Sequence, residues 1–350
     1  MKCHFKIFLF ALLALAAVFF TGVASGSAGT ELQQQKPAVQ AGEQEQEPEY
    51  SEEEYNIWET ANKEPDLQKR GTILLDFIAK YPKSKLMSYV DSAYKSLLYE
   101  CSNGKKYQDL ETLAEKWLTL HPNDMPTLYY IADASEKLGH DEKCVQCLLE
   151  IYKAQPSASM ANSIAQTYNK MKNRAKYLEW VQTILKYPEN ESNFRLRYDL
   201  MKQHLDEKDY TKAAEYARMT LKAAELVKQP DKETQEQLRI VRRACHHTIG
   251  ISLFEKDQFA AAAKAFQDAL AVEKYGEGYY YIGLCQWKQE QIDDAILSFA
   301  RAELQGGEVA GKAKEKLEQL YKALHNNTLI GIEKVYRKAK EQPESAQNMK

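Results

Sequence analysis

The sequence predicts an all-α protein built as an array of stacked helix pairs, and three observations support this fold class. One pattern occurs twice near the C-terminal end, where Gly283 follows Gly250 by 33 residues with the same neighbours in register. Apolar residues elsewhere recur at helical spacing, and runs of β-branched residues are short. Acidic and basic residues interleave along the same segments, as on solvated helix surfaces. A fixed period of this length is typical of stacked helical repeats.

The first residues have the organisation of a secretory signal. Two lysines precede an apolar run over residues 7–23, and small residues follow it. A basic start, an apolar centre and a small-residue exit characterise such signals. We therefore expect a signal peptide over residues 1–25, with cleavage after Ser25 or Ala28. The alternative is that residues 7–23 remain as a membrane anchor, because their length is close to the ~20 residues that a membrane span needs.

Residues 26–50 are predicted to be a disordered linker. The segment is rich in Glu and Gln, and Lys36 is its only basic residue. Such a composition cannot bury enough apolar surface to offset the entropy of ordering. A passive spacer is favoured over an acidic recognition tail.

The repeated pattern defines the array, which we place over residues 51–309. In the first copy Gly250 is followed by Ala262, Phe266 and Ala269, and the second copy repeats these landmarks as Gly283, Ala295, Phe299 and Ala302. Positions three and four apart share one helix face. The small residue is expected where two helices cross, and the phenylalanine fills the remaining gap. Fainter copies upstream bring the array to about seven helix pairs.

These landmarks resemble the tetratricopeptide repeat, a helix–turn–helix unit, over roughly four-fifths of the chain. The resemblance implies a right-handed α-α superhelix in which the first helix of each pair lines a concave groove. It also implies that the groove binds a protein or peptide partner. The turn sequences at residues 77–84 and 120–124 are similar to those of repeat proteins of the bacterial envelope, which implies a scaffold role in that compartment.

One step of the array is longer than the others, because Ala262 follows Ala213 by 49 residues. We expect a lengthened helix near residues 231–255 with Asp231 as its cap. The extra turns are either a harmless extension or a protruding contact element. Residues 310–340 depart from the repeat and are predicted to form C-terminal capping helices, followed by a tail over residues 341–350.

Cysteine and histidine are the candidates for chemistry. Cys144 and Cys147 form a C-x-x-C pattern that a redox pair could use. However, Cys144 occupies the slot that Ala262 fills in its own copy, so core packing is favoured. Adjacent helical positions such as His246 and His247 point about 100° apart and cannot converge on one metal ion. We predict no catalytic, cofactor-binding or metal-binding residues, and the pairing state of the cysteines stays open.

The groove implied by the resemblance is the expected partner site. Tyr and Trp offer a large contact area and have few rotatable bonds that become fixed on binding. The chain has 22 Tyr. Mapping by offset from each crossing residue gives these partner-binding positions: Tyr99, Tyr129, Asn162, Gln166, Tyr198, Lys202, His247, Phe254, Tyr280 and Trp287. The net charge of −3 without a clustered basic face argues against nucleic acid as a partner. No small-molecule substrate is expected.

The sequence thus favours a non-enzymatic scaffold that is exported to the periplasm or secreted. It would mediate protein–protein interaction through the concave groove, in assembly of the bacterial envelope. One alternative is a redox or disulfide-handling protein that uses the C-x-x-C pattern. The other is an assembly factor anchored in the inner membrane by residues 7–23.

Overall fold

The computed structural model describes residues 50–341. These residues contain sixteen α-helices, a short 3-10 turn at Pro188–Asn190 and no β-strand. The predicted signal peptide, nearly all of the predicted linker and residues 342–350 lie outside the described part. The helices are α1 Glu52–Lys63, α2 Leu67–Lys80, α3 Met87–Asn103, α4 Tyr107–Leu120, α5 Met125–Leu138, α6 Asp141–Ala154, α7 Ala158–Lys170, α8 Arg174–Ile184, α9 Phe194–Asp206, α10 Tyr210–Glu225, α11 Lys232–Phe254, α12 Phe259–Val272, α13 Gly276–Lys288, α14 Ile292–Gln305, α15 Ala310–Leu324 and α16 Glu333–Glu341.

Helices α1 to α15 pack in chain order, each against the next, whereas α16 packs against α14. Helices α1 to α14 form seven pairs, and α15 and α16 follow the last pair. The buried apolar residues lie between successive helices, as expected when each repeat unit contacts only its neighbours. The predicted all-α array of helix pairs is therefore confirmed.

The glycines of the repeated pattern lie where a buried ring of the next helix packs against the backbone. A Cβ atom added at Gly250 would lie 2.7 Å from the ring of Phe266, and one added at Gly283 would lie 2.8 Å from the ring of Phe299. Both phenylalanine side chains are fully buried. The small residue and the large ring thus occupy one shared space, as the sequence pattern predicts.

The turn inside a pair has the same backbone in six of the seven pairs. A residue with left-handed φ follows the first helix, namely Lys105, Gly139, Lys172, Lys208, Asp257 and Glu290. Gly139 follows Lys105 by 34 residues, whereas Asp257 follows Lys208 by 49. The backbone therefore repeats the period of the sequence, including its one lengthened step.

The lengthened step is taken up by α11, which has 23 residues. Asp231 caps this helix by accepting a hydrogen bond from the Thr234 amide at 2.7 Å. Leu238 and Val241, in the extra turns, are buried against α9 and α10. The Arg195 guanidinium also donates to Gln237 Oε1 at 2.7 Å. The extra turns are thus packed on the array along one side.

The last two helices cover the end of the array. Helix α15 buries Leu317 and Leu320, and α16 packs against α14. The Tyr336 hydroxyl donates to Glu303 Oε2 at 2.5 Å, which fixes α16 on α14. Within residues 50–341, no helix combines the length and the apolar character that a membrane crossing requires.

Candidate functional site

Exposed aromatic rings are concentrated in one part of the chain. Among residues 50–341 only four aromatic side chains are exposed, and all four are tyrosines on the first helices of the first three pairs. Tyr55 on α1 is 38% exposed, Tyr89 and Tyr99 on α3 are 60% and 56% exposed, and Tyr129 on α5 is 36% exposed. Large aromatic groups usually bury most of their surface. We call these four residues the tyrosine face.

Ring contacts link α1 to α3 at one end of the tyrosine face. Tyr55 stacks on Tyr50 with ring centroids 6.0 Å apart, and it contacts Trp58 at 5.7 Å. Trp58 meets Tyr89 edge-on at 6.2 Å. These separations and angles are typical of favourable aromatic pairs. The rings of two neighbouring first helices are therefore oriented in the free protein.

The face continues along α3 and on to α5. Tyr89 and Tyr99 are ten residues apart, which places them about 80° from one another around the helix. The exposed residues Ser92 and Ser96 lie between them. Burial raises the pKa of Tyr130 on α5, and the proximity of Tyr99 raises it further. Tyr99 therefore lies beside α5, the helix that carries Tyr129.

The opposite side of α3 holds the helix in place. Tyr94 is fully buried, and its hydroxyl donates to the backbone oxygen of Leu113 at 2.8 Å. Its ring stacks on Trp117 with centroids 4.6 Å apart. Tyr94 lies about 140° around the helix from Tyr99. One tyrosine thus anchors α3 to α4 while two others remain in solvent.

The central positions of the predicted groove are mostly polar, and two of them already contact each other. On α7, Gln166 is exposed and Asn162 is half-buried. On α9, the Lys202 ammonium lies 4.9 Å from the ring centroid of Tyr198 and 3.0 Å from Asp199 Oδ1. Tyr198 and Lys202 therefore contact each other before any partner binds.

The C-terminal positions of the predicted groove take part in packing between helices. His247 Nδ1 lies 2.8 Å from the Tyr275 hydroxyl, and the His247 ring meets Phe266 edge-on. Phe254 contacts Phe259 at 5.4 Å between centroids. All the rings at these C-terminal positions are partly buried. These side chains consequently offer less free aromatic surface than the tyrosine face.

Tyr280 and Trp287 on α13 are also engaged. Tyr280 contacts Phe299 with ring centroids 5.7 Å apart. The Lys316 ammonium of α15 lies 4.9 Å from the Trp287 ring centroid and covers part of it. A partner that used Trp287 would first have to displace this cation.

Mapping by offset did not select Tyr55, Trp58 or Tyr89. The first pair is the most degenerate copy, so its register gave no groove position on α1. On α3, the offset from the crossing residue corresponds to Tyr99 and not to Tyr89. The available signal was compositional, namely the high tyrosine content of the chain.

The cysteines are buried free thiols throughout residues 50–341. Burial raises the pKa of Cys144 to about 11 and that of Cys147 to about 11. Cys144 packs 4.0 Å from the Thr167 hydroxyl in the slot that alanine fills elsewhere. A reactive redox thiol needs a lowered pKa and access to solvent. This environment disfavours the redox hypothesis.

Residues 50–341 hold no cluster of His, Cys, Asp or Glu that would bind a metal ion. Cys245 and His247 diverge, since the Cys245 sulfur packs 3.8 Å from Met201 Sδ whereas His247 reaches Tyr275. Two surface depressions, of about 480 and 430 Å³, lie beside Thr60 and Phe259 and open widely to solvent. Neither is lined by a set of residues that suggests catalysis.

A buried carboxylate joins the second pair to the third. Glu111 is 3% exposed and accepts hydrogen bonds from Ser135 Oγ at 2.5 Å and from His140 Nδ1 at 2.9 Å. The Lys143 ammonium lies 3.0 Å away. Burial alone would raise the pKa of Glu111, but these three partners together hold it below its usual range. Because its oxygens are fully engaged, we assign Glu111 a structural role.

No protein-family model matches the chain, and no curated protein matches it. Solved structures to which the chain is similar include a tetratricopeptide repeat protein from Parabacteroides merdae, at 16% identity and a TM-score of 0.31, with 77% of this chain and 100% of that chain covered. YrrB, described as a TPR protein with an unusual peptide-binding site, matches at 10% identity and a TM-score of 0.32, covering 57% of this chain and 92% of its own. The P58(IPK) TPR domain matches at 15% identity and a TM-score of 0.30, covering 79% and 80%.

Proposed function

We propose that this chain is a non-enzymatic scaffold whose tyrosine face binds a segment of a partner protein. The observation that carries the proposal is the placement of every exposed aromatic ring of residues 50–341 on three neighbouring first helices. Tyrosine supplies large contact area at a small entropic cost, and it is enriched among the residues that dominate binding energy. Two of these rings contact neighbouring aromatic residues in the free protein, which reduces that cost further.

The chemistry of the face describes its partner. Between Tyr89 and Tyr99 the exposed side chains of α3 include the small hydroxyls of Ser92 and Ser96. Phenol and hydroxyl groups can hydrogen-bond a peptide backbone, and the phenol rings contact apolar side chains. A partner segment with apolar side chains and few charges fits this surface.

We further propose that the protein is exported to the bacterial periplasm and acts in envelope assembly. Support comes from the signal-like pattern of residues 1–25 and from the turn sequences that resemble those of envelope repeat proteins. The mass of the protein isolated from its native cells tests the first part. A mature chain that begins at Gly26 or Gly29 supports export with cleavage. A chain that retains residues 7–23 supports the membrane-anchored alternative instead.

The binding test uses the partner recovered from native cells by crosslinking and mass spectrometry. Replacing Tyr89 and Tyr99 together with alanine should weaken binding of that partner at least tenfold, because truncation of a central tyrosine typically costs more than 1 kcal/mol. The α-helical circular dichroism signal should not change, since both rings are exposed.

Two further variants serve as comparisons. Leu120→Ala with Met219→Ala removes exposed apolar groups from two second helices, where the side chains are 48% and 41% exposed, and should leave the affinity unchanged. Tyr280→Ala with Trp287→Ala tests the C-terminal part of the predicted groove. Equal affinity of the Tyr89/Tyr99 variant and the wild type would refute the proposed site. A loss confined to the Tyr280/Trp287 variant would move the site to the C-terminal pairs.

A further inference from the structure

The turn between α15 and α16 holds an isoleucine out into solvent. Ile330 is 83% exposed, more than any other large apolar side chain of residues 50–341. Its neighbours Leu329 and Ile332 face the other way and pack against the C-terminal core. Leu324, at the end of α15, is 51% exposed on the same connection. We call Leu324 and Ile330, with the turn that carries them, the apolar tip.

Hydrogen bonds and a ring contact hold the turn that carries the apolar tip. The Tyr321 hydroxyl donates to the backbone oxygen of Ile330 at 3.0 Å, and the backbone N–H of Asn327 donates to the backbone oxygen of Lys322 at 2.9 Å. His325 stacks on Tyr321 with ring centroids 3.9 Å apart. Gly331 has a φ of 91°, a conformation that other residues rarely adopt. These constraints fix the backbone that presents Ile330.

The segment that carries and follows the apolar tip is rich in basic residues. Residues 322–341 contain five Lys and Arg residues and two Glu residues, a net charge of +3 in a chain whose total charge is −3. On α16, Val335 and Tyr336 pack inward, which leaves Lys334, Arg337 and Lys338 exposed. None of these three cations takes part in an ion pair among the described residues. The apolar tip is therefore followed directly by a helix that exposes these three cations, together with Glu333 and Glu341 at its two ends.

We propose that the apolar tip and the cations of α16 bind the surface of an anionic lipid bilayer. Lysine and arginine near such a surface gain about fivefold in affinity each, and an exposed aliphatic side chain can enter the boundary between headgroups and acyl chains. A bilayer is favoured over an acidic protein partner because residues 322–341 expose aliphatic side chains but no Tyr, Trp or Phe, the residue types that protein interfaces favour. This surface lies on α15 and α16, apart from the helices of the tyrosine face.

The test measures binding of the full chain to two kinds of vesicle, one of phosphatidylcholine alone and one that also contains phosphatidylglycerol. The readout is the ratio of the two affinities, compared between the wild type and each variant, because residues 7–23 and the lysines before them are the same in every variant. We expect tighter binding to the anionic vesicles and a loss of that preference at high salt. Arg337→Gln with Lys338→Gln should reduce the ratio about thirtyfold, since two cations are removed. Ile330→Ser should weaken binding to the anionic vesicles severalfold.

A matched charge control is available on second helices. Lys116→Gln with Lys153→Gln removes two exposed lysines from α4 and α6 and should leave the ratio unchanged. An equal loss in this control would overturn the proposal, because net charge alone would then explain binding. Equal binding to both kinds of vesicle would also overturn the proposal. So would an Ile330→Ser or Arg337→Gln/Lys338→Gln variant that loses a protein partner but still binds anionic vesicles as the wild type does. Binding of the scaffold's partner through Tyr89 and Tyr99 is measured separately, so failure of one proposal leaves the other standing.

Discussion

Replacing Gly283 with alanine should destabilise the array, although alanine is the better helix former. The new Cβ would lie 2.8, 2.9 and 3.1 Å from three ring atoms of Phe299. Ordinary carbon contacts lie at about 3.5–4.0 Å, so the ring would have to retreat by up to about 1 Å. Phe299 has no exposed surface and nowhere open to move. Such overpacking typically costs about 1–3 kcal/mol.

A second glycine provides the control for helix propensity. A Cβ added at Gly311, in α15, would meet no atom within 4 Å. Gly311 lies in the first turn of α15, so Gly311→Ala should stabilise the protein by up to about 0.5–1 kcal/mol. Gly283 lies in the interior of α13 and gains at least as much from alanine, so a Gly283→Ala variant that is less stable than Gly311→Ala reports the overpacking cost of about 1–3 kcal/mol. Urea unfolding followed by far-ultraviolet circular dichroism measures this difference.

The partner residue supplies the decisive variant. Phe299→Leu in the Gly283→Ala background shortens the obstructing side chain, so the double variant should be more stable than the sum of the single effects by about 0.5–3 kcal/mol. Equal unfolding midpoints for Gly283→Ala and Gly311→Ala would refute the assignment of Gly283 to a close crossing. Strict additivity of Gly283→Ala and Phe299→Leu would refute the shared space.

Two further predictions concern ionisable groups. Because the pKa of Glu111 is lowered in the folded state, its stabilising contribution is present above the ordinary carboxyl pKa of 4.5 and is lost as the pH falls through the folded value. Glu111→Gln should therefore be less stable than the wild type by about 1–2 kcal/mol at neutral pH. This difference in the free energy of unfolding should shrink below pH 4.5. A difference independent of pH would contradict the ionised state of Glu111. Raising the pKa of a thiol from 9 to about 11 lowers its thiolate fraction at pH 8 about a hundredfold. Cys144 and Cys147 should therefore react with a disulfide reagent only after denaturation. Rapid modification of both thiols in the native protein would support the redox hypothesis.

The sequence by itself was sufficient for the repeat and its register. Gly250 with Phe266, and Gly283 with Phe299, predicted the helix crossings that the structure contains. The reason is local, because positions three and four apart on a helix must share a face. The same logic explained why Cys144 fills an alanine slot, and its burial agrees with that interpretation.

Tertiary structure decided which surface residues remain free. Trp287 and Tyr99 both map to the groove face, yet Lys316 of α15 covers Trp287 whereas Tyr99 stays open. Local periodicity assigns a side chain to a face of its own helix, but exposure depends on what neighbouring helices place against that face. Ile330 shows the same limit, since its exposure follows from a turn tethered through Tyr321 nine residues earlier. The helix pairs were thus determined by local sequence, and the accessible contact surfaces by the packing of one pair on the next.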